Sequence, residues 1–211
     1  MPTLEEALNA TLSAEAVEAS FVHTATGIQT TDDAYVSPRD DVARSHSRFE
    51  MPDVDASGTE SRAETIAHRG KLHIRAAGSD AWMTVDMPRP ALGPLALLTL
   101  LYGAELERPV AAEDPTIEVE ISASRATGRV PDELRDTLDD ILTGWTEEEG
   151  RRFPELSAAR LSVRDDPLHI AEMTITTQQG ETTETFALEI QPVPRRTIDI
   201  PAAADDASEP S

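Results

Sequence analysis

The chain of 211 residues contains no cysteine. That excludes disulfides, thiolate catalysis and cysteine-ligated zinc. Aromatic residues make up 4% of the sequence, so a core or pocket has to be built from aliphatic side chains. Lysine occurs once, at Lys71; the other strongly basic residues are arginines. No stretch is apolar for long enough to span a bilayer, and the richest run, Leu95 to Tyr102, is far too short. The opening MPTLEEALNA lacks the basic and apolar regions of a secretory signal. If Met1 is the true start, the expectation is that the chain stays in the cytoplasm.

What is abundant is negative charge. The formal net charge is −22. Such a surface keeps a protein soluble and repels phosphate backbones, which argues against a nucleic-acid partner. It offers no polybasic patch to anionic lipid headgroups. The length suits one β-rich domain with a real hydrophobic core, and no repeat or composition break marks a second. The domain is expected over residues 1–203, followed by a disordered acidic tail over 204–211.

Thr3-Leu4-Glu5-Glu6 reads as a capping box, and Leu4, Leu8 and Leu12 then share a helical face, predicting a helix to about Ala19. Phe21–Thr30 is a plausible strand. Residues 31–41, with Asp32, Asp33, Pro38, Asp40 and Asp41, read as a loop. Val42–Met51 is a polar strand, and Pro52 to Gly58 a further loop. Ser61–Ile66 and Lys71–Ala76 form a hairpin turning at Arg69-Gly70. Ala81–Met87 alternates, with Met83, Val85 and Met87 on one face and Trp82 on the other.

The segment PRPALGPLALLTLLYGAE reads as a helix, with Pro94 in its first turn and Gly103 at its stop. It is apolar nearly all round, so it must be covered on most sides or border a ligand. Thr116–Ser122 alternates cleanly as a half-buried strand. Pro131-Asp132-Glu133 opens a helix whose stripe is Leu134, Leu138, Ile141, Leu142 and Trp145. Four strands follow: Ala159–Arg164, His169–Thr177, Thr183–Ile190 and Arg195–Ile200. The predicted fold class is therefore α+β, a curved antiparallel β-sheet, or half-barrel, with helices packed on its concave face.

Several of these segments resemble a known family. The hairpin GKLHIRAAGSDAWMTVDM, the leucine-rich PLALLTLLYGA, the strand TIEVEISAS, the helix PDELRDTLDDIL, the pair RLSVRDDPLHIAEMTIT and the closing FALEIQPVP and RTIDIPAA occur in the order seen in the mycobacterial LppX/LprAFG lipoproteins, within the LolA-like half-barrels. The resemblance spans most of residues 4–203 and rests on order and pattern. It implies a monomeric, non-catalytic carrier or sensor of the cell envelope that binds an acylated lipid or glycolipid in an apolar cavity, without a cofactor. Members of the family are exported and anchored through an acylated cysteine; this chain has no cysteine, so the resemblance does not extend to the anchor.

The cavity wall implied by that resemblance comprises Leu95, Leu98, Leu101 and Tyr102 from the leucine-rich helix, Leu134, Leu138, Ile141 and Trp145 from the next helix, and Trp82 and Val85 from the hairpin strand. The same aliphatic residues would equally build an ordinary packed core, and Trp82 suits either a rim or a place under the first helix. The five histidines, His23, His46, His68, His73 and His169, form no helical metal pair. The acidic pairs lack calcium-loop spacing, and no nucleophile elbow or phosphate-cradling glycine loop is present. A second reading is a protein-interaction or regulatory domain of the same fold without a ligand. A hydrolase assembled from distant residues is a third.

Overall fold

The computed structural model describes residues 1–25, 28–50, 61–111, 115–143, 153–179 and 182–201. Ten antiparallel strands form one open, curved sheet: β1 (Val17–Ala25), β2 (Ile28–Ser37), β3 (Val42–Glu50), β4 (Ser61–His68), β5 (Lys71–Ala76), β6 (Met83–Asp86), β7 (Thr116–Ser122), β8 (Leu156–Asp165), β9 (Leu168–Gln179) and β10 (Thr182–Pro192). Their order is β6-β5-β4-β3-β2-β1-β10-β9-β8-β7. Strands β1 to β6 meander outward from the middle. The chain then crosses to the far edge, and β7 to β10 meander back until β10 pairs with β1. The sheet is not closed into a barrel.

The crossing is made by the leucine-rich segment Gly93–Gly103, which is a 3-10 helix. Three residues per turn put Leu95, Leu98 and Leu101 on one line, where an α-helix would have splayed them. The segment lies on the concave face against β1, β2, β3 and β7. Helices α1 (Leu4–Leu12), α2 (Ala123–Arg129) and α3 (Arg135–Thr143) pack around it. Inward-pointing residues of the central and right-hand strands, such as Val17, Val36, Leu161, Ile175 and Leu188, complete the core beneath them.

Helix α1 starts with the capping box its sequence predicts. Thr3 Oγ1 accepts from Glu6 N at 3.2 Å, and Glu6 Oε2 accepts from Thr3 N at 2.9 Å. It ends at Leu12, however, rather than near Ala19. Ser13 bonds back to the Asn9 carbonyl, and Val17 and Ala19 are already inward residues of β1. Strand β1 accordingly begins before the predicted Phe21–Thr30 span and ends within it at Ala25, and β2 runs from Ile28 through residues predicted as loop. Asp32 and Asp33 look like turn chemistry but sit in β2 with partners on the neighbouring strands β3 and β1. Ser47 Oγ donates to Asp32 at 3.0 Å, and Ser20 Oγ donates to Asp33 at 2.8 Å. The predicted loop from Pro52 to Gly58 and the tail 204–211 lie outside the described residues.

Two further differences have local causes. Helix α2 carries no leucine stripe; only Ala123 and Ala126 are buried, and the Ser122 side chain caps it, so its helical period is invisible in ASRATGR. The predicted last strand, Arg195–Ile200, joins no ladder. Pro192 and Pro194 remove amide donors, and β1 already has a partner on each side. The segment is an extended strap tied down by side chains. Arg195 forks onto Asp40 with two bonds of 2.7 Å, and the Tyr35 hydroxyl accepts from Arg196 N at 2.7 Å.

Candidate functional site

Register decides which side chains share the concave face, because directly paired residues of antiparallel strands point the same way. A Cβ built on Gly93 would lie 3.6 Å from Ala43 and from Val36, so these two face the crossing helix. Val36 pairs with Ala43, Ala43 with Ala67, Ala67 with Leu72 and Leu72 with Val85. The next inward row runs Ala34, Ser45, Thr65, Ile74 and Met83. The face that holds the helices at its centre therefore continues leftward over β4, β5 and β6.

The helices do not follow it there. Leu72 is half-buried against the edge of the core and Ile74 is half-buried, while Met83 is 58% and Val85 40% exposed. The predicted wall residues divide along this boundary. Leu95, Leu98, Leu101 and Leu138 are fully buried in one core, Tyr102 is nearly so, and Leu134 and Ile141 pack partly buried against it. Four of the hollows in the described surface are lined by none of Leu95, Leu98, Leu101, Leu134, Leu138 and Ile141; Tyr102 lines one of these, beside Glu5, Glu105 and Arg129. Val85 points to the concave face beyond the helices. Trp82 is half-buried with the Arg75 guanidinium 4.6 Å above its ring, so it is not packed under the first helix. Trp145 lies outside the described residues.

The concave face also carries polar groups that composition and periodicity did not single out. The His23 ring stacks on Phe186 at 4.6 Å, with Nε2 3.7 Å from a Glu184 carboxylate oxygen. Burial pushes the His23 pKa down, against the opposing pull of Glu184. Burial pushes the Asp32 carboxyl up, partly offset by the Ser47 hydroxyl.

The opposite face is charged and locally paired. Glu64 takes Arg44 Nε at 2.8 Å and also binds Arg75. Burial raises the Glu64 carboxyl pKa, but the two guanidiniums outweigh it and hold the group below its usual range. Ser20, Asp33 and His46 stand side by side on this face. Asp33 sits between the other two and takes the Ser20 proton donor, so the imidazole is not placed to activate the serine. Among the described residues no group of three or more His, Asp or Glu side chains could hold a metal ion, and no helix is long and apolar enough to cross a membrane.

No protein-family model matches the chain, and no curated protein matches it.

Proposed function

We propose that the chain is a non-catalytic binding domain for an apolar ligand, an acyl chain of a lipid or glycolipid, held on the uncovered part of the concave face. The observation that supports this is the single inward face shared by a closed core, against whose border Leu72 packs, and an open strip of Ile74, Met83 and Val85. The strip's two exposed side chains, Met83 and Val85, present on the order of 200 Å² of apolar surface, and covering half of it yields ~2–3 kcal/mol. A half-barrel lipid carrier or sensor, as the family resemblance implies, would use its face in this way. The ligand would lie along β4 to β6 rather than inside the helical layer, where Leu95, Leu98 and Leu101 fill the space.

Native mass spectrometry of the protein from a detergent-free preparation, together with titration by a fluorescent fatty acid, tests this reading. Saturable uptake that falls about tenfold in Val85→Glu, with folding unchanged, is expected, since both positions of the strip on β6 are exposed. No co-purifying lipid and no saturable uptake would overturn it. The filled helical layer favours a second reading, a protein-interaction domain of the same fold, in which a polypeptide covers the strip. Capture of one stable protein partner that Val85→Glu abolishes, without lipid uptake, would select that reading.

A further inference from the structure

Tyr102, near the end of the crossing helix, is 8% exposed, yet among the described residues its hydroxyl makes no hydrogen bond. A buried tyrosine usually gives that group a partner. The oxygen is not sealed inside the protein either. The side chain lines a hollow of about 470 Å³ that it shares with Glu5, Glu105, Leu106, Glu107 and Arg129. The walls of this hollow are tied together. Glu5 N donates to the Leu106 carbonyl at 3.0 Å and Leu4 N to the Arg108 carbonyl at 3.0 Å, which fixes the first turn of α1 to the segment that follows the crossing helix.

In a chain of net charge −22, carboxylates around a hollow are expected and mean little alone. These three are uncommitted: among the described residues no cation pairs with Glu5, Glu105 or Glu107. Arg129, the one cation of the lining, donates to the Ala104 carbonyl at 3.3 Å instead. Burial pushes the Tyr102 pKa up, and Glu133 and Glu5 push it the same way, so negative charge acts at the phenol oxygen itself. Buried Tyr102 and Leu106 supply the apolar part of the wall. Yet among the described residues no three acidic side chains gather closely enough to hold a metal ion. The negative charge is spread around the hollow and does not converge on one point.

From this we infer that the hollow beside Tyr102 binds a linear polyamine, with ammonium groups against Glu5 on α1 and against Glu105 or Glu107 on the following segment, the Tyr102 oxygen accepting from one of them, and the methylene stem over Tyr102 and Leu106. A compact divalent ion needs oxygens that converge on it. A polyamine carries its charges apart along a stem, which matches carboxylates that stand apart. Each primary ammonium brings three donors and no acceptor, and the hollow offers it carboxylates and a phenol oxygen. The tyrosine ring adds a favourable face for a cation or its adjoining methylenes. Occupation supplies the buried hydroxyl with the partner that the protein does not provide.

The test is calorimetric titration of the full chain at low ionic strength with spermidine and, at matched ionic strength, with magnesium and with methylammonium. Saturable binding of spermidine, about tenfold or more tighter than that of either control, is expected. Tyr102→Phe removes only the hydroxyl and should weaken spermidine binding about fivefold to tenfold. Glu5→Gln should weaken it about tenfold, the usual worth of a charge-assisted bond. Glu120→Gln, the same charge change on an outward residue of β7, should alter it less than about twofold. Absence of saturable binding, or an unchanged affinity in Tyr102→Phe, would overturn the inference. So would magnesium binding as tightly as spermidine, or equal losses in Glu5→Gln and Glu120→Gln, either of which would show only the general charge of the surface at work.

Discussion

Gly103 closes the crossing helix against the end of β7, and replacing it with alanine should be among the most damaging single-methyl changes in this chain. A Cβ at that position would stand 2.2 Å from the Ser122 carbonyl oxygen, 3.0 Å from its nitrogen and 3.1 Å from its carbonyl carbon. Real Cβ atoms keep about 3.4 Å or more from such neighbours, so backbone must move by roughly 1 Å. Ser122 cannot yield freely. It is the last residue of β7, its side chain caps α2 by accepting from Arg125 N at 3.2 Å, and its hydroxyl donates to Glu155 at 2.7 Å. The cost should reach or exceed the upper end of the ~1–3 kcal/mol typical of overpacking. Urea denaturation followed by circular dichroism measures it, with an unchanged m value required for a clean comparison. Gly128, in α2, is the internal control. A Cβ there meets nothing within 4 Å, so Gly128→Ala should stabilise by up to ~1 kcal/mol through helix propensity. If Gly103→Ala falls within ~0.5 kcal/mol of the parent, the close approach of helix and strand described above is wrong.

Thr11 joins α1 to the sheet: its buried hydroxyl accepts from Ile170 N at 2.9 Å and donates to the Ala7 carbonyl at 2.8 Å. Thr11→Val should therefore cost ~1–3 kcal/mol by stranding a buried amide, and faster hydrogen exchange at Ile170 should accompany it. Asp32 has its folded pKa raised by burial, so the native state holds its proton more tightly than the unfolded chain. Its contribution disfavours folding as pH rises through the window above the ordinary aspartate pKa. Asp32→Asn should raise Tm at neutral pH, and the gain should vanish in acid where both states are protonated. Leu98→Ala, at a fully buried site, should cost ~2–5 kcal/mol and open a void that admits a small apolar probe such as xenon.

Much of the sheet was legible because its strands obey a two-residue period over a face with one fate. Ile117, Val119 and Ile121 alternate with exposed Glu118 and Glu120 in β7, and the sequence marks that strand without help. Strand β2 hid because Asp32 and Asp33 mimic a turn, while their hydroxyl partners Ser47 and Ser20 lie on other strands and leave no local trace. The strap hid for the converse reason. Its alternating Thr197, Ile198, Asp199 and Ile200 look like a strand, but whether a strand pairs depends on a free edge, which only topology supplies. The candidate wall was half legible. Sequence places Val85 and Met83 on the inward face, as the register does, yet cannot tell how far the helices reach over it, and they stop short. Equally, the aliphatic line Leu95, Leu98 and Leu101 reads the same whether it surrounds a ligand or other side chains.

The seam between β1 and β10 sets how this sheet can assemble. Phe21 pairs with Leu188 there, so the contact closes nearly the whole chain into a loop. For a loop of ~160 residues the length-dependent entropy is on the order of 4–5 kcal/mol. Every other pairing in the sheet joins consecutive strands. Two leaves, β1 to β6 and β7 to β10, are thus each free to zip locally, and the join that makes them one sheet is the slow, non-local event. Shortening either the first or the last strand would split the protein down its middle, where in most open sheets the same cut would only trim a border.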